Sequence, residues 1–149
     1  MATIEQVRAW LSDIEPTEAT FASITAADVP HLVALLADEE EWLASRAVHA
    51  LSRIDAPAAR DALARATEDT RPAVRVSAAA SLQRLPRDAA DPLLLRALRD
   101  DDPGVRRYAL ASVSPLSSAA VRASVELLAR DDPHALIRSR AADVRGRFR

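Results

Sequence analysis

The sequence predicts an all-α protein, a solenoid of four helix pairs that follow an N-terminal helical cap. Its apolar residues recur with a fixed period of 31 residues, and a period near 30 is typical of solenoid repeats. Within each repeat these residues are spaced as on one face of an α-helix. The chain has only 2 Gly and is rich in Ala and Leu, which favours helices. Five columns keep the period: Leu32, Leu63, Leu94 and Val125; Leu35, Ala66, Ala97 and Leu128; Asp38, Asp69, Asp100 and Asp131; Leu43, Val74, Val105 and Leu136; Leu51, Leu82, Val113 and Val144.

The predicted organisation is one compact domain, with the cap at residues 1–27 and the repeats over residues 28–149. In the cap, Thr3 and Gln6 match a capping box, in which each side chain hydrogen-bonds the backbone N–H of the other residue. We expect a second short helix after Pro16, and we expect Trp10 or Phe21 to be buried against the first repeat. The first cap helix has apolar residues at helical spacing: Ile4, Val7, Leu11 and Ile14. The four repeats cover about 28–56, 57–87, 88–117 and 118–149.

Each repeat is predicted to contain two helices, which in the second repeat run near residues 58–67 and 73–85. Breakers such as Arg71-Pro72 separate them. In the second helix, apolar residues lie at i, i+4, i+8 and i+11, one stripe of a helix. The stripes are Leu43, Ala47, Leu51 and Ile54; Val74, Ala78, Leu82 and Leu85; and Val105, Ala109, Val113 and Leu116. In the fourth repeat Arg140 and Arg147 replace two of these positions, which predicts a polar end to the array.

Composition excludes several classes of protein. There is no cysteine, which excludes disulfides, thiolate catalysis and Cys-based zinc or iron–sulfur sites. The N-terminus carries acids and lacks a long apolar core, so we expect no signal peptide and a cytoplasmic location. No apolar run approaches the ~20 residues of a membrane-spanning helix. The net charge is −2, but nine of the 22 acids and only one of the 20 basic residues lie in residues 1–41. All basic residues are Arg, whose planar guanidinium donates in bidentate fashion.

A short motif marks the connection between paired helices: Asp69 precedes Val74-Arg75, and Asp100 precedes Val105-Arg106. With the period, these residues resemble HEAT repeats of the phycobilisome-lyase type over residues ~28–147. The resemblance implies a right-handed α-α superhelix in which Asp and Arg form a ladder that ties successive inter-helix turns together. A guanidinium fork suits such a ladder, because it can bridge two carboxylates. The ladder residues that the resemblance implies are Asp69, Arg75, Asp100 and Arg106.

The two end repeats depart from this pattern, with Ala44 in the first repeat and Ile137 in the fourth at the position of the Arg. Arg46 and Arg138 lie nearby and are the expected replacements. The resemblance is specific for the fold and weak for function, because function depends on sites that vary among proteins of one fold.

Comparison with catalytic HEAT-like proteins predicts no enzyme, no cofactor and no metal. The HEAT-like hydroxylase uses His-Glu pairs to bind iron, whereas His31, His49 and His134 are each followed by Leu or Ala here. Bilin lyases of the family are larger arrays. HEAT-like DNA glycosylases use a strongly basic concave face with aromatic residues, whereas this chain has 3% aromatic residues and a net charge of −2.

In HEAT-like relatives the second helices face the concave side, and here they carry several Arg, His and Tyr residues. Arg46, His49 and Arg53 lie at i, i+3 and i+7 on the second helix of the first repeat. We predict that this face binds a protein or peptide partner with an acidic segment, and an ordinary solvated helix face is the alternative. The predicted binding residues are Arg46, His49, Arg53, Arg84, Arg107 and Tyr108.

Two other functions stay open: nucleic-acid binding through the C-terminal and concave arginines, and an accessory role like that of bilin lyases or chaperones. The C-terminal arginines, which a solvated cap also explains, are Arg138, Arg140, Arg145, Arg147 and Arg149. We interpret Trp42 as packing over its inter-helix turn rather than as an interface anchor. The acidic run 38–41 is interpreted as favourable charge ahead of a helix. A monomer is expected, with head-to-tail association of the acidic and basic ends as the alternative.

Overall fold

The structure is a computed structural model that describes residues 2–13 and 17–148. These residues form ten α-helices and two short 3-10 helices without any β-strand, which confirms the predicted all-α class. The α-helices are α1 (Ile4–Leu11), α2 (Glu18–Ala22), α3 (Val29–Leu36), α4 (Glu41–Ser52), α5 (Pro57–Ala66), α6 (Pro72–Ser81), α7 (Arg87–Ala97), α8 (Pro103–Ser112), α9 (Ala119–Asp131) and α10 (Ala135–Arg145). The 3-10 helices are Ala26–Asp28 and Leu82–Arg84. Within the described ranges, no helix combines the length and the apolar character that crossing a membrane requires.

The helices fall into two compact units, Met1–Ala78 and Ala79–Arg149. The boundary between the units falls within α6. In the first unit, α4 packs against α1, α3 and α5. In the second unit, α10 packs against α8 and α9, and α7 packs against α8 and α9. Each unit therefore contains the packed helix pairs that repeats of this length require.

The N-terminal cap is built on α1. The predicted capping box is confirmed, because the Thr3 hydroxyl accepts from the Gln6 N–H and the Gln6 side chain accepts from the Thr3 N–H at 2.8 Å. Val7 and Leu11, one helical turn apart, are fully buried where α1 packs on α3 and α4. These two aliphatic side chains anchor the cap.

The aromatic residues of the cap are less buried than the sequence predicted. Trp10 lies beside the buried stripe of α1 and is half-buried. Phe21 is also half-buried, because it belongs to α2, a helix with no fully buried residue. The prediction that Trp10 or Phe21 is the buried anchor is therefore wrong. Ile14 and Pro16, which the sequence analysis placed in the cap, lie outside the described residues.

The core of each unit follows the predicted columns of the first helices. The buried members are Leu32, Leu35, Leu63 and Ala66 in the first unit, and Leu94, Ala97, Val125 and Leu128 in the second. The α-helices of all three predicted stripes end before the last stripe residue, and Ile54 and Leu85 are half-buried beyond them. Because α8 ends at Ser112 and Val113 adopts an extended conformation, Leu116 leaves the helix and is exposed.

The fourth repeat is one residue longer than the constant period predicted. In each inter-helix turn, an Asp Oδ1 accepts a hydrogen bond at 2.9 Å from the backbone N–H two residues later. In the fourth repeat this residue is Asp132 rather than Asp131. The buried residue after it is Ile137, which is 2% exposed, whereas the predicted Leu136 is 55% exposed. The extra residue is absorbed before Asp132. The four turn aspartates are Asp38, Asp69, Asp100 and Asp132.

The new register also corrects the predicted polar end of the array. Ala141, rather than Arg140, continues the buried alanine column, and it is fully buried. A shift of one residue turns a helical side chain by about 100°. Arg140 therefore points away from the core position that the sequence analysis assigned to it.

Candidate binding surfaces on the second helices

The inter-helix turns of the second unit are joined by a buried ion pair. Arg106 donates to both carboxylate oxygens of Asp132, at 2.7 and 3.2 Å, and to the carbonyl of Asp100 at 2.8 Å. Arg106 and Asp132 are 7% and 4% exposed. One guanidinium thus reaches its own turn and the turn of the next repeat. In the last repeat, Arg138 donates at 2.6 Å to the carbonyl of Asp132, which is the contact that its position predicts.

In the first unit, different arginines occupy the corresponding places. The carboxylate of Asp38 accepts from Arg8 of α1. Asp69 pairs with Arg71 of its own turn, at 2.9 and 3.0 Å, because the preceding repeat has Ala44 where an Arg would reach it. Arg71 also donates to the carbonyl of Asp38 at 2.7 Å. Arg75 donates at 2.9 Å to the carbonyl of Asp69. Arg8 and Arg71 therefore tie these turns together.

These contacts lower the pKa of three turn carboxyls. The hydrogen bond from Arg71 lowers the pKa of Asp69. For Asp38, the backbone N–H of Glu40 and then the Arg8 guanidinium lower the pKa. Burial by itself would raise the pKa of Asp132, but hydrogen bonds from Arg106 and from the backbone of His134 outweigh it and lower the pKa. All three carboxyls are therefore held in their ionised form.

The predicted binding residue Arg46, on α4, contacts the cap. Its Nη1 donates to the backbone carbonyls of Leu11, at 2.6 Å, and of Asp13. The guanidinium also lies 5.3 Å from the ring centroid of Trp42. The Trp42 ring is exposed, and its Nε1 donates at 2.6 Å to Glu40 in the preceding turn. Arg46 therefore holds the end of α1 against α4.

The other two predicted residues of α4 are covered by α2. Arg53 donates to both carboxylate oxygens of Glu18. Its guanidinium lies 5.3 Å from the ring centroid of Phe21. His49 meets the same ring edge-on, with 4.8 Å between the ring centroids. The structure thus brings His49 and Arg53 together, around an acidic and an aromatic side chain of the same chain.

In the second unit, α8 and α10 border an open groove of about 220 Å³. Arg107 lines it and also lies 5.6 Å from the ring centroid of Tyr108, which is 40% exposed. Arg140 follows Asp132 at the same spacing at which Arg46 and Tyr108 follow the turn aspartates of their own repeats. The three residues therefore share one column, which the constant period concealed. The groove is lined by Arg107, Leu110, Ala111, Arg140, Asp143, Val144 and Arg147.

The remaining predicted binding residue, Arg84, is exposed at the end of the 3-10 helix Leu82–Arg84. It is not among the residues that line the groove. Its role stays a prediction.

A larger cavity of about 420 Å³ lies beside the inter-helix turns of the second unit. Its floor is mostly apolar. The one sequence signal for it is Leu127, a leucine of α9 that is exposed outside the predicted columns. The first unit has a corresponding cavity of about 250 Å³, which Arg71 lines. The lining of the larger cavity includes Leu98, Arg106, Leu127, Leu128, Asp132 and Pro133.

Among the described residues, no group of three or more His, Asp or Glu side chains is arranged to hold a metal ion. The three histidines are separated along the chain, and each has a different environment. His49 contacts an aromatic ring, and His134 approaches Arg106 at 3.3 Å. The predicted site residues thus offer guanidinium groups, one imidazole and one phenol ring.

Comparison with known proteins gives a consistent result. A family model described as HEAT repeats matches residues 29–114 and 64–146. The CpcE–CpcF complex of phycocyanin lyase from Nostoc sp. PCC7120 contains a similar structure, with a TM-score of 0.73, 21% identity, and coverage of 95% of this chain and 96% of that chain.

Designed armadillo repeat proteins are also similar. One, designed for modular peptide recognition, has a TM-score of 0.59 and 16% identity, and covers 96% of this chain and 81% of its own. Another, in complex with the peptide (KR)4, has a TM-score of 0.57 and 15% identity, and covers 96% of this chain and 80% of its own. At these identities the likeness concerns the fold. No curated protein matches the sequence.

Proposed function

Because the chain belongs to the HEAT repeat family, we propose that it binds a protein or peptide partner through its second helices and that it does not act as an enzyme. The observation that carries this proposal is the open groove between α8 and α10 in the second unit. A groove lined by several guanidinium groups, with the exposed Tyr108 ring beside Arg107, suits recognition of a peptide with acidic and apolar side chains.

Charge in the groove favours an acidic partner. Three arginines and one carboxylate, Asp143, line it. Arg presents a fork that donates to both oxygens of a carboxylate, and such charge-assisted bonds are among the stronger hydrogen bonds. Tyr108 adds an exposed ring, and Tyr and Arg are enriched among residues that dominate interface energetics. The partner therefore carries Glu or Asp beside an apolar or aromatic residue.

The likeness to armadillo proteins supports a peptide as the ligand but does not support an acidic charge on that peptide. One of those proteins is designed for peptide recognition, and another is in complex with the basic peptide (KR)4. The arginine-lined groove of this chain requires the opposite charge. We therefore base the acidic character of the partner on the side chains of this groove alone.

Nucleic acid is the less favoured ligand, because part of the C-terminal arginine cluster is already paired. Arg138 donates to the carbonyl of Asp132, and Arg145 lies 3.5 Å from Glu126. Arg140 and Arg147 line the groove, where Asp143 would oppose a phosphate. Arg149 lies outside the described residues.

Fluorescence anisotropy with two labelled probe peptides of equal length, (Glu-Glu-Phe)3 and (Lys-Lys-Phe)3, tests the proposal. We expect the acidic peptide to bind, and we expect Arg107→Glu or Arg140→Glu to weaken it about tenfold or more, because each removes a charge-assisted bond. Arg130→Glu is the matched control, since Arg130 is exposed on α9 of the same unit and lies outside the groove lining. Equal binding of both peptides, or equal losses in all three variants, would contradict the proposal. Tighter binding of a single-stranded oligonucleotide with a steep salt dependence would favour the alternative.

A further inference from the structure

We propose that the α4 face is a second peptide site, specific for a short helix that carries a Glu and, three residues later, a Phe. In this structure Thr17–Ser23 of the same chain, the α2 segment, occupies that site as an internal ligand. The inference concerns the first unit, and it does not require the groove between α8 and α10 to bind anything.

The α4 site recognises two side chains of the α2 segment. The Arg53 guanidinium donates to both carboxylate oxygens of Glu18, which is the bidentate geometry that discriminates a carboxylate from other groups. The Phe21 ring lies between Arg53 and His49, with the guanidinium at 5.3 Å and the imidazole edge-on at 4.8 Å. The Arg53 guanidinium and the His49 imidazole therefore both contact the Phe21 ring.

The spacing of the two recognised side chains requires a helix. Residues three apart lie on the same face of a helix, and Glu18 and Phe21 are three apart on α2. Thr17 and Thr20 form reciprocal hydrogen bonds at the start of α2, which fixes its first turn. A partner segment therefore needs a helix start as well as the Glu and the Phe.

Several features make the α2 segment exchangeable. None of the α2 residues is fully buried, and the Glu18 side chain is 79% exposed. Exposed ion pairs contribute little to stability, so this contact holds the segment weakly. The cap itself is anchored independently by Val7 and Leu11 on α1. Release of α2 therefore leaves the packing of α1 on α3 and α4 intact.

A partner with the same chemistry competes with the α2 segment for α4. When a site is closed for most of the time, the apparent affinity for an external ligand falls by the fraction of molecules that are open. Weakening the internal contacts should therefore increase the affinity for an external peptide without adding any contact to it.

The test uses the full chain and the blocked peptide Thr-Glu-Ala-Thr-Phe-Ala-Ser as the probe, followed by NMR titration of labelled protein. We expect the double variant Glu18→Ala/Phe21→Ala to bind the peptide at least about tenfold more tightly than the parent, with shifts at His49 and Arg53. Adding Arg53→Glu to that variant should abolish binding, and a control peptide with Ala in place of its Glu and Phe should not bind.

Equal affinity of the parent and the double variant, or binding that survives Arg53→Glu, would overturn the inference. Binding of the control peptide would overturn it as well. If circular dichroism shows that the double variant is unfolded, Glu18→Ala alone serves, because its side chain is exposed and should increase the affinity in the same direction. Shifts confined to α8 and α10 would place the peptide in the other groove and so count against the α4 site while leaving the proposed function standing.

Discussion

The α4 face of the first unit and the α8–α10 groove of the second use the same column of the repeat in opposite ways. On α4, Arg46, His49 and Arg53 are engaged by the N-terminal residues that precede the repeats. Between α8 and α10, Arg107 and Arg140 line an open groove, and Arg140 occupies the column of Arg46. The comparison shows that residue type at a repeat position does not by itself decide whether the surface is available. A segment outside the repeats decides it.

Shortening a buried side chain of one core column should have the largest effect on stability. It also tests whether the two regions share a register. We expect Leu43→Ala on α4 and Ile137→Ala on α10 each to lower the free energy of unfolding by about 2–5 kcal/mol, because both are buried. Leu136→Ala should change it by less than about 0.5 kcal/mol, because Leu136 is exposed. Urea unfolding followed by circular dichroism measures all three. A large loss of unfolding free energy for Leu136→Ala with none for Ile137→Ala would mean that the constant period continues through the fourth repeat.

Removal of a turn arginine is expected to have the next largest effect in the second unit. Arg106→Ala leaves the buried carboxylate of Asp132 without its partner and should cost about 3 kcal/mol. Arg71→Ala in the first unit should cost less, because its ion pair with Asp69 is more exposed. Thermal unfolding of the two variants compares them. If both variants lose the same stability, burial does not determine the strength of these ion pairs.

Acid should weaken both regions through their turn carboxyls. The pKa of an Asp carboxyl in the unfolded chain is about 4. A carboxyl whose pKa is lowered by folding contributes stability above that value and loses this contribution as the pH falls towards the folded pKa. The pKa is lowered for Asp38 and Asp69 in the first unit and for Asp132 in the second. We therefore expect the stability difference between the parent and Asp132→Asn to shrink below about pH 4. Unfolding at several pH values measures it, with Asp61→Asn as an exposed control for the substitution itself.

Charge reversal on the binding faces should have the smallest effect on stability. Arg53→Glu and Arg107→Glu lie off the buried stripes, so each should change the free energy of unfolding by less than about 1 kcal/mol. Their effects on binding should differ by site, since Arg53 serves the α4 face and Arg107 the groove. Melting temperatures that fall by as much as for Arg106→Ala would mean that these residues belong to the structural framework.

The repeat sequence predicted the helix pairs and the buried columns of the first helices, because burial imposes one residue type at one spacing. It missed the extra residue of the fourth repeat, since Asp131 and Asp132 are adjacent, as are Leu136 and Ile137. Either register places an acid and an apolar residue in the expected columns. The hydrogen bond from the His134 N–H to Asp132 and the burial of Ile137 distinguish them.

Contacts made by the cap were beyond prediction for a different reason. Arg8 reaches Asp38 across 30 residues, and Arg53 reaches Glu18 across 35 residues. Neither residue of the cap belongs to the periodic pattern, so no column links it to its partner. The sequence therefore predicted Arg46 and Arg53 as an open face, whereas the structure shows both in contact with the cap.

Titration of isotopically labelled protein with the acidic peptide (Glu-Glu-Phe)3 tests the central claim most directly, because NMR reports both faces in one experiment. We expect saturable shifts at Arg107, Tyr108 and Arg140 in the parent. We expect none at His49 and Arg53, because this peptide has no Glu three residues before a Phe. Shifts at α4 in the parent, or no shifts at α8 and α10 at saturating peptide, would contradict the claim.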